Sequence, residues 1–346
     1  KDMKMKKRIL SLLLALVMLL GMLPTVALAA DDGWDGTTKT EPEKSGDVYQ
    51  IGTAAELAWF RDEVNSGKST LNATLTADID LNNQEWTPIG ISPNNTKSFK
   101  GTFDGAGHTI SGLKIERVGT DDMVLGLFGS VGDSGYGDVE TVIKNLTVEG
   151  HVTATINKTN KFNFAIAGIA GYSNGKVTLQ RVVSKVDVTC TDNNNGYTSP
   201  ATAGLLANAQ SSDKIIECAN YGDITSNNSN VAGLVTDGWG LGFKGTMTSC
   251  FNIGTVTGKA PAGGLVAKNS GTIENCYSIG EAAGAKDGTF TNCFATANTI
   301  GATGVTVKTQ AELKSDEVLA ALNAGGNGNA FVKGDDGLPV LSWMKS

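Results

Sequence analysis

The sequence is poor in aromatic residues and lacks the short motifs typical of metal or nucleotide chemistry. Phe, Trp and Tyr make up 6% of its 346 residues, which argues against a bulky globular core. No Cys-x-x-Cys or His-x3-His spacing supports a zinc site, and there is no phosphate-binding loop. Gly, in contrast, occupies 44 positions. We therefore predict a thin-walled fold of strands and tight corners, with no metal and no cofactor.

A long apolar run occurs only within the first thirty residues. Four basic residues in Lys4–Arg8 precede an apolar run over Ile9–Leu23, a breaker at Pro24 and the small-x-small pattern Ala27–Ala29. This order is typical of a secretory signal peptide, which we assign to residues 1–29. A transmembrane anchor is the alternative, but the run is short for a span and no later segment resembles one. We expect no membrane insertion after signal removal.

The rest of the chain is acidic. Residues 1–29 hold five basic residues and one acidic residue, so their removal changes the formal net charge from −7 to −11. An acidic surface disfavours nucleic acid and anionic membranes as partners. Residues 30–47 are rich in Asp, Gly, Thr, Lys and Glu, and we predict a flexible leader there. Export implies a secreted or cell-surface protein.

One phrase recurs along the chain and predicts its architecture. It begins with a small-Gly-aliphatic motif, here called the clasp, found at Leu125–Gly129, Ala167–Gly171, Ala203–Ala207, Ala232–Val235 and Gly263–Ala267, with a degenerate copy at Ala283–Ala285. About a dozen residues later comes an apolar position that we call the ladder. Its members are Leu146, Val182, Cys218, Cys250, Cys276 and Cys293, at periods of 36, 36, 32, 26 and 17 residues.

A repeat of this size is typical of a solenoid, because each unit is too small to bury its own apolar face and needs a neighbour. Within a unit, apolar residues alternate at a period near two, as in Val186-x-Val188, and Gly, Asn, Asp and Ser collect between the runs. We predict an all-β fold, a single-stranded right-handed parallel β-helix with short capping helices. Equivalent residues of successive coils should stack ~4.8 Å apart.

These residues resemble a known family. The clasp, the phrase Ile273–Gly280 and the upstream segments Trp86–Gly90 and Phe99–Leu113 are similar to those of GLUG-repeat proteins. That family comprises secreted or surface-displayed bacterial proteins with a right-handed β-helix, and the repeat also occurs beside the protease domain of some IgA-cleaving surface enzymes. The resemblance implies the fold and an extracellular location. It implies no catalytic residues, because the repeats are mostly scaffold.

Both ends of a solenoid expose apolar side chains and strand edges, so both need covers. Thr53 and Glu56 predict a capping box for a helix over Ala54–Asn65. At the other end, a short helix after Ser315 and a strand over Gly337–Trp343 are predicted to close the last coil. Within residues 48–343 we thus assign an N-terminal cap with the first coils (48–115), GLUG-type repeats (125–300) and a C-terminal cap (308–343).

Four of the five Cys residues occupy the ladder. Because the other ladder members are Leu146 and Val182, we interpret the four as a column of small buried residues. Adjacent Cys residues lie within the Cα separation of a disulfide, although parallel Cβ vectors give poor geometry, so disulfides stay an alternative. Cys190 lies off the ladder and is predicted to be a lone thiol.

The best enzyme hypothesis uses one outward row. Five residues after each ladder position come His151, Asp187, Asp223, Thr255 and Glu281. Carboxylates on neighbouring coils shift each other's pKa, and glycosidases divide acid and base roles in this way. The row mixes residue types, however, and the row before the ladder builds no second wall. We therefore predict no catalytic site and keep as the alternative a polysaccharide lyase or glycosidase that uses His151, Asp187 and Asp223.

Asp104 and His108 form a second possible dyad, four residues apart. The Gly residues between them favour a turn, in which the Asp104 side chain holds backbone amides. We predict a structural role.

A binding surface has more support than a catalytic one. In the fourth unit the clasp Gly lies 17 residues before the ladder Cys, against 12 in the next unit, and the extra length carries Trp239 and Phe243. Aromatic residues on such a loop stack on sugar rings or anchor a protein partner. We predict Trp239 and Phe243 as partner contacts. The alternative is that Trp239 folds back over the coil.

Two other outward rows are interpreted as scaffold. Stacked aromatic residues on successive coils are usually structural, and this row is Phe251, Tyr277 and Phe294. The second row consists of Thr153, Thr189, Thr225 and Thr257. A row of Thr suggests ice binding, but the row beside it is charged. We therefore attribute the Thr row to the ordinary preference of Thr for strands.

We therefore predict a monomeric, secreted or cell-surface bacterial protein that acts as an interaction or adhesion module. Its expected partner is a glycan or a surface protein, not a nucleic acid. The alternatives are a carbohydrate-active enzyme and an inert spacer for a domain outside this chain.

Overall fold

The computed structural model describes residues 33–345, with gaps at 92–96, 134–139, 160, 162, 195–199, 239–240, 260, 286–287, 298–302 and 326–327. The signal peptide predicted for residues 1–29 lies outside the described residues. Within the described ranges, no helix has both the length and the apolar character needed to cross a membrane.

The N-terminal region consists of short strands and one helix. They are β1 (Lys44–Ser45), β2 (Val48–Ile51), α1 (Ala54–Asn65), β3 (Asn72–Leu75), β4 (Ile79–Asp80), β5 (Thr102–Asp104) and β6 (Thr109–Gly119). Thr53 and Glu56 form a capping box, in which the Glu56 N–H donates to Thr53 Oγ1 at 3.2 Å and the Thr53 N–H to Glu56 Oε2 at 3.0 Å. Phe60 is fully buried, and its ring centroid lies 6.0 Å from those of Phe99 and Phe103. Helix α1 therefore covers the interior of the first strands.

Residues 34–47 do not form the flexible leader that their composition predicts. Trp34 is buried, its ring meets that of Trp86 edge-on at 5.8 Å, and its indole N–H donates to the Thr38 carbonyl at 2.9 Å. Strand β1 pairs antiparallel with β2. One large aromatic residue supplies apolar contact that offsets the entropy cost of ordering the polar residues around it.

After β6 the described residues make six passes, the first five through three sheets and the sixth through two. The strands of the first three passes are β7 (Met123–Leu125), β8 (Phe128–Val131) and β9 (Thr141–Ile156); β10 (Phe164–Ala167), β11 (Ala170–Ser173) and β12 (Val177–Asp192); and β13 (Ala201–Ala203), β14 (Leu206–Asn208), β15 (Lys214–Ile216), β16 (Ala219–Asn220) and β17 (Ile224–Ser226). Those of the last three are β18 (Val231–Ala232), β19 (Thr246–Thr248), β20 (Phe251–Asn252) and β21 (Val256–Thr257); β22 (Ala262–Gly263), β23 (Val266–Lys268), β24 (Thr272–Glu274) and β25 (Tyr277–Ser278); and β26 (Ala283–Ala285), β27 (Thr289–Thr291) and β28 (Cys293–Ala295).

Successive passes pair in parallel. Sheet 1 contains β7, β10, β13, β18 and β22, and sheet 2 contains β8, β11 and β14, extended through a bridge at Val235 to β23 and β26. The other strands of the passes belong to sheet 3, where β9 and β12 pair along almost their whole length. The predicted all-β class is therefore confirmed as a mostly β chain with parallel sheets.

The ladder residues form one buried column, as predicted. Val182 pairs with Leu146, and the backbone N–H groups of Val182 and Cys218 each point at the sulfur of the next ladder Cys, with N to Sγ distances of 3.4 Å. All ladder residues are fully buried, and all five Cys residues are free thiols. Burial raises the pKa of the Cys218 and Cys250 thiols well above the ordinary value, so these thiols are unreactive.

The residue before each ladder position turns the strand. These residues share a left-handed backbone with φ of 50–55°, and they are Asn145, Arg181, Glu217, Ser249, Asn275 and Asn292. Sheet 3 therefore bends at the ladder in every pass. Because these residues lie on the bend, they cannot form the second wall of a groove opposite the outward row of His151, Asp187 and Asp223.

The clasp glycines pack against a second inward column. This column is fully buried and comprises Ser184, Asn220, Asn252 and Ser278. Asn220 Nδ2 donates to Asn252 Oδ1 at 2.8 Å. A Cβ on Gly204 would lie 2.4 Å from Asn220 Oδ1, and one on Gly233 would lie 2.3 Å from Asn252 Oδ1. The clasp requires Gly because the polar column already fills that space.

The chain ends in a segment of small elements, which we call the C-terminal segment (residues 309–345). After β29 (Val305–Val307) it contains α2 (Gln310–Leu313), α3 (Asp316–Leu322), β30 (Phe331–Lys333), β31 (Pro339–Leu341) and a 3-10 helix (Ser342–Lys345). Ser315 accepts from the Val318 N–H and caps α3.

The sequence predicts that the C-terminal segment closes the last coil, and this prediction is wrong. The segment covers the outer side of sheet 3. The Phe331 ring lies 6.3 Å from that of Phe251 and 6.2 Å from that of Tyr277, and the Tyr277 hydroxyl donates to the Pro339 carbonyl at 2.5 Å. The Trp343 indole N–H donates at 3.3 Å to the carbonyl of Glu217, which lies in the third pass. The outward aromatic row offers an apolar area that needs a cover, and the segment supplies it.

Candidate binding face

The outward row of the enzyme hypothesis is brought together along sheet 3. Asp187 pairs with His151 across β9 and β12, and the Asp223 N–H donates to Asp187 Oδ1 at 2.9 Å. Asp223 Oδ1 in turn accepts from the Thr255 N–H at 2.8 Å. Each carboxylate thus binds a backbone amide of the following pass. This is a structural use of the two acids.

The row also differs from the arrangement that glycoside hydrolysis needs. Asp187 and Asp223 are exposed and project from one face of the sheet. Catalytic carboxyl pairs flank the bond to be cleaved, with about 5–9.5 Å between them. Side chains in a single row approach a bound chain from one side only. The His151 Nε2 atom lies 3.8 Å from Glu116 Oε1. The carboxylate that His151 contacts therefore belongs to β6 and not to the outward row.

Asp104 and His108 do not form a dyad. Asp104 Oδ1 accepts from the Ala106 N–H and from Asn145 Nδ2, both at 2.9 Å. His108 Nδ1 lies instead 3.1 Å from Asp78 Oδ1. Asp104 therefore holds the turn and ties it to the next pass, as its Gly-rich setting predicts.

The segment Gly171–Gly175 matches the Gly-x-Ser-x-Gly pattern of serine hydrolases, but its Ser is structural. Ser173 is fully buried, and its hydroxyl donates to Asp213 Oδ1 at 3.0 Å. The Gly175 N–H donates to Ser173 Oγ at 3.0 Å. A buried Ser that is held by a carboxylate and a turn amide presents no nucleophile to a substrate.

The long fourth unit is only in part the projecting loop that the spacing predicts. Phe243 is fully buried in the interior core and forms a bridge with Asn269, so the prediction that it contacts a partner is wrong. At Phe243 the chain returns to the interior, because its bridge to Asn269 aligns it with the next pass. A Cβ on Gly238 would lie 1.9 Å from Asn208 Nδ2, so that residue also packs against the fold. Trp239 lies outside the described residues, and its contact role stays a prediction.

Beyond the charged row, the outward face of sheet 3 becomes uncharged over three passes. We call this surface the polar grid, and its rows are Thr153, Thr155 and Asn157; Thr189, Thr191 and Asn193; and Thr225, Asn227 and Ser229. Thr189 pairs with Thr153 and with Thr225, and Thr191 pairs with Thr155. Neighbouring side chains therefore repeat ~4.8 Å apart across the strands and ~6.6 Å along them.

The Thr hydroxyls of the grid are available for a ligand. None of the five makes a hydrogen bond with another described residue. The amides, in contrast, are oriented from within the protein. Asn193 Nδ2 donates to Asn157 Oδ1 at 3.3 Å, and Asn227 Nδ2 donates to the Asp192 carbonyl at 3.0 Å. The grid thus combines Thr hydroxyls that bond to no other described residue with amides held in place.

The sequence contains a pattern that indicates this surface, in the Thr row that the sequence analysis interprets as scaffold. The Thr row lies between two others, and only the one that begins at His151 is charged. On its other side lies the uncharged row of Thr155, Thr191 and Asn227. The spacing Thr-x-Thr-x-Asn, present at Thr153–Asn157 and Thr189–Asn193, predicts both outward rows once the strand register is known.

No family model matches the chain. A stretch of 150 residues, 41% of this chain, is 31% identical to Halomucin from Haloquadratum walsbyi but spans only 1% of that protein. A crystal structure of a candidate immunoglobulin A1 protease from Bacteroides ovatus aligns with a TM-score of 0.60 and 18% identity, over 88% of this chain and 95% of that one. At this identity the alignment shows a shared fold alone.

Proposed function

We propose that the chain is a secreted or cell-surface interaction module of the GLUG-repeat type that binds a neutral glycan through the polar grid. The proposed fold is a right-handed parallel β-helix. Repeated return to the same parallel sheets supports it, since connections between parallel strands are right-handed in nearly all proteins. The predicted signal peptide and the match to Halomucin accord with an extracellular location.

The polar grid is the observation that carries this proposal. Its hydroxyls and amides donate and accept hydrogen bonds, as the hydroxyls of a sugar chain do, and they are fixed by strand register before any ligand arrives. A flat grid suits an extended chain lying across several passes. The formal charge of −7 disfavours anionic partners, so a neutral glycan fits better than a sulfated or uronic one.

A carbohydrate-active enzyme is the second candidate, because His151, Asp187 and Asp223 border the grid. A glycan bound on the grid would lie beside these side chains. The backbone hydrogen bonds of the two carboxylates favour binding without turnover. An inert spacer is the third candidate.

The test is retention of residues 30–346 on insoluble cellulose, chitin and starch, with release of reducing ends measured in parallel. In the test variant, Thr189→Val with Thr191→Val removes two grid hydroxyls and keeps the shape and the strand preference. Its matched control is Thr246→Val, at an exposed Thr on sheet 3 outside the grid. We expect binding to at least one polysaccharide, weakened about tenfold in the test variant by the loss of two hydrogen bonds. Retention on none, or equal retention by both variants, contradicts the proposal, and released reducing ends favour the enzyme.

A further inference from the structure

A cleft of about 250 Å³ lies between sheet 3 and the C-terminal segment, away from the polar grid. Tyr221, Phe251, Ile253 and Tyr277 line it on the sheet side. The other side is lined by residues of the turn that joins β30 to β31 and by one residue of β31, namely Gly334, Asp335, Asp336, Leu338 and Val340. The cleft is thus part apolar and part polar, and nothing in the proposed function uses it.

The aromatic residues of the cleft differ in how they are held. The rings of Phe251 and Tyr277 stack at 5.2 Å with an interplanar angle of 5°, and the Tyr277 hydroxyl donates to the Pro339 carbonyl. Tyr221 meets Phe251 edge-on at 5.6 Å and is only half-buried. Its hydroxyl has no hydrogen-bond partner among the described residues. Tyr221 is therefore the ring that can contact a ligand.

The rim of the cleft carries Asp335 and Asp336. Lys345 Nζ lies 2.9 Å from Asp335 Oδ1 and forms an ion pair with it. Asp336 Oδ1 accepts from the Leu338 N–H at 3.0 Å, and the Asp336 carboxylate forms no ion pair with any described cation. Burial and the Asp336 carboxylate raise the pKa of Tyr221 to about 12. At neutral pH the cleft therefore combines a neutral phenol, one uncompensated carboxylate and apolar side chains.

We propose that this cleft is a second binding site, which takes a single neutral pyranose ring at a glycan end or branch. The apolar face of the ring would contact Tyr221 and Ile253, and its hydroxyls would bond to the Tyr221 hydroxyl and the Asp336 carboxylate. Sites that combine an aromatic ring with a few convergent polar groups are suited to such ligands. A quaternary ammonium fits less well, because Phe251 and Tyr277 cover each other's faces instead of forming an open cage.

The test is saturation-transfer NMR on residues 30–346 with the methyl glycosides of glucose, galactose, mannose and N-acetylglucosamine, and with tetramethylammonium as the cationic probe. Tyr221→Phe removes the free hydroxyl. Asp336→Asn removes the charge and keeps the oxygen that accepts from Leu338. Tyr172→Phe is the control at a half-buried Tyr elsewhere. We expect at least one glycoside to bind, and each cleft variant to weaken binding about fivefold or more.

Three results would overturn the proposal: binding of no glycoside, binding unchanged in both cleft variants, or binding of tetramethylammonium alone. Should Tyr221→Phe lower the melting temperature, Asp336→Asn decides the matter, since the Asn side-chain oxygen can still accept from the Leu338 N–H. The double variant at Thr189 and Thr191 should bind the methyl glycosides as the unmodified chain does. Failure of the grid and failure of the cleft are therefore separate observations.

Discussion

Two of the clasp glycines, Gly204 and Gly233, are required by close packing and not by a turn. Gly204 and Gly233 have no positive φ, so another residue could adopt their backbone conformation. What excludes a side chain is the inward column of Asn220 and Asn252, together with the carbonyl oxygen of the clasp Gly in the following pass, because both lie where a Cβ would be placed. The recurring Gly in the sequence therefore records close approach of two sheets.

Replacing Gly204 with Ala should destabilise the fold. The added Cβ would lie 2.2 Å from the Gly233 carbonyl oxygen and 2.4 Å from Asn220 Oδ1, so the passes must move apart. Overpacking of this kind costs about 1–3 kcal/mol in the free energy of unfolding, measurable by urea denaturation. The control is Gly328→Ala, where a Cβ meets nothing within 4 Å. Equal midpoints for the two variants would contradict the packing argument.

Asp213 makes the stability depend on pH. It accepts hydrogen bonds from the backbone N–H groups of Gln210 at 2.7 Å and Val177 at 3.1 Å, and from the Ser173 hydroxyl. Burial nevertheless raises the pKa of Asp213 from 3.8 to about 6. The folded chain therefore holds this proton more tightly than the unfolded chain. The resulting stabilisation is fully present below about pH 4 and is lost as the pH rises through about 6.

We expect the unmodified chain to lose up to about 3 kcal/mol more stability between about pH 4 and about pH 7 than Asp213→Asn, which cannot titrate. The quantity to compare is the change with pH, because the Asn side chain also places an N–H₂ group near the Gln210 amide. Urea denaturation across this pH range gives both slopes. Parallel curves would mean that the carboxylate titrates alike in the folded and unfolded chains.

At the scale of elements, local patterns predict what forms but not always where it packs. The capping signals at Thr53 and Ser315 predict α1 and α3 at the residues where they occur. The location of the C-terminal segment could not be predicted, because nothing local to it indicates which apolar surface it covers. The sequence prediction for Phe243 is wrong for a related reason, because only the bridge to Asn269 shows that the chain has returned to the interior.

Phe331→Ala should release the C-terminal segment without unfolding the sheets. Phe331 is fully buried against Phe251 and Tyr277, and truncation of such a ring costs about 3–5 kcal/mol. We expect faster hydrogen exchange and proteolysis in residues 309–345 and unchanged exchange in β9 and β12. Leu241→Ala, at a side chain that is 64% exposed, is the control. Equal loss of protection in both regions would show that the segment and the sheets unfold together.

For the whole molecule, each pass pairs mainly with the passes before and after it, and the sides of the stack differ in use. The C-terminal segment covers the aromatic row of sheet 3, whereas the polar grid is a part of the same sheet that stays exposed. In such an arrangement, stability is approximately a sum of local terms and contacts between neighbours. A defect inside one pass should therefore spread to its neighbours before it reaches the ends.

Val182→Asp tests this expectation. Val182 is fully buried in the ladder beside Leu146, where an unpaired carboxylate costs several kcal/mol. We expect hydrogen exchange to lose protection first in β9, β12 and β16, while α1 keeps it. Val118→Asp is the control, since Val118 is 72% exposed and its substitution should leave exchange nearly unchanged. Simultaneous loss in α1 and the central passes would show that the stack is one cooperative unit, and full protection everywhere would contradict the buried ladder.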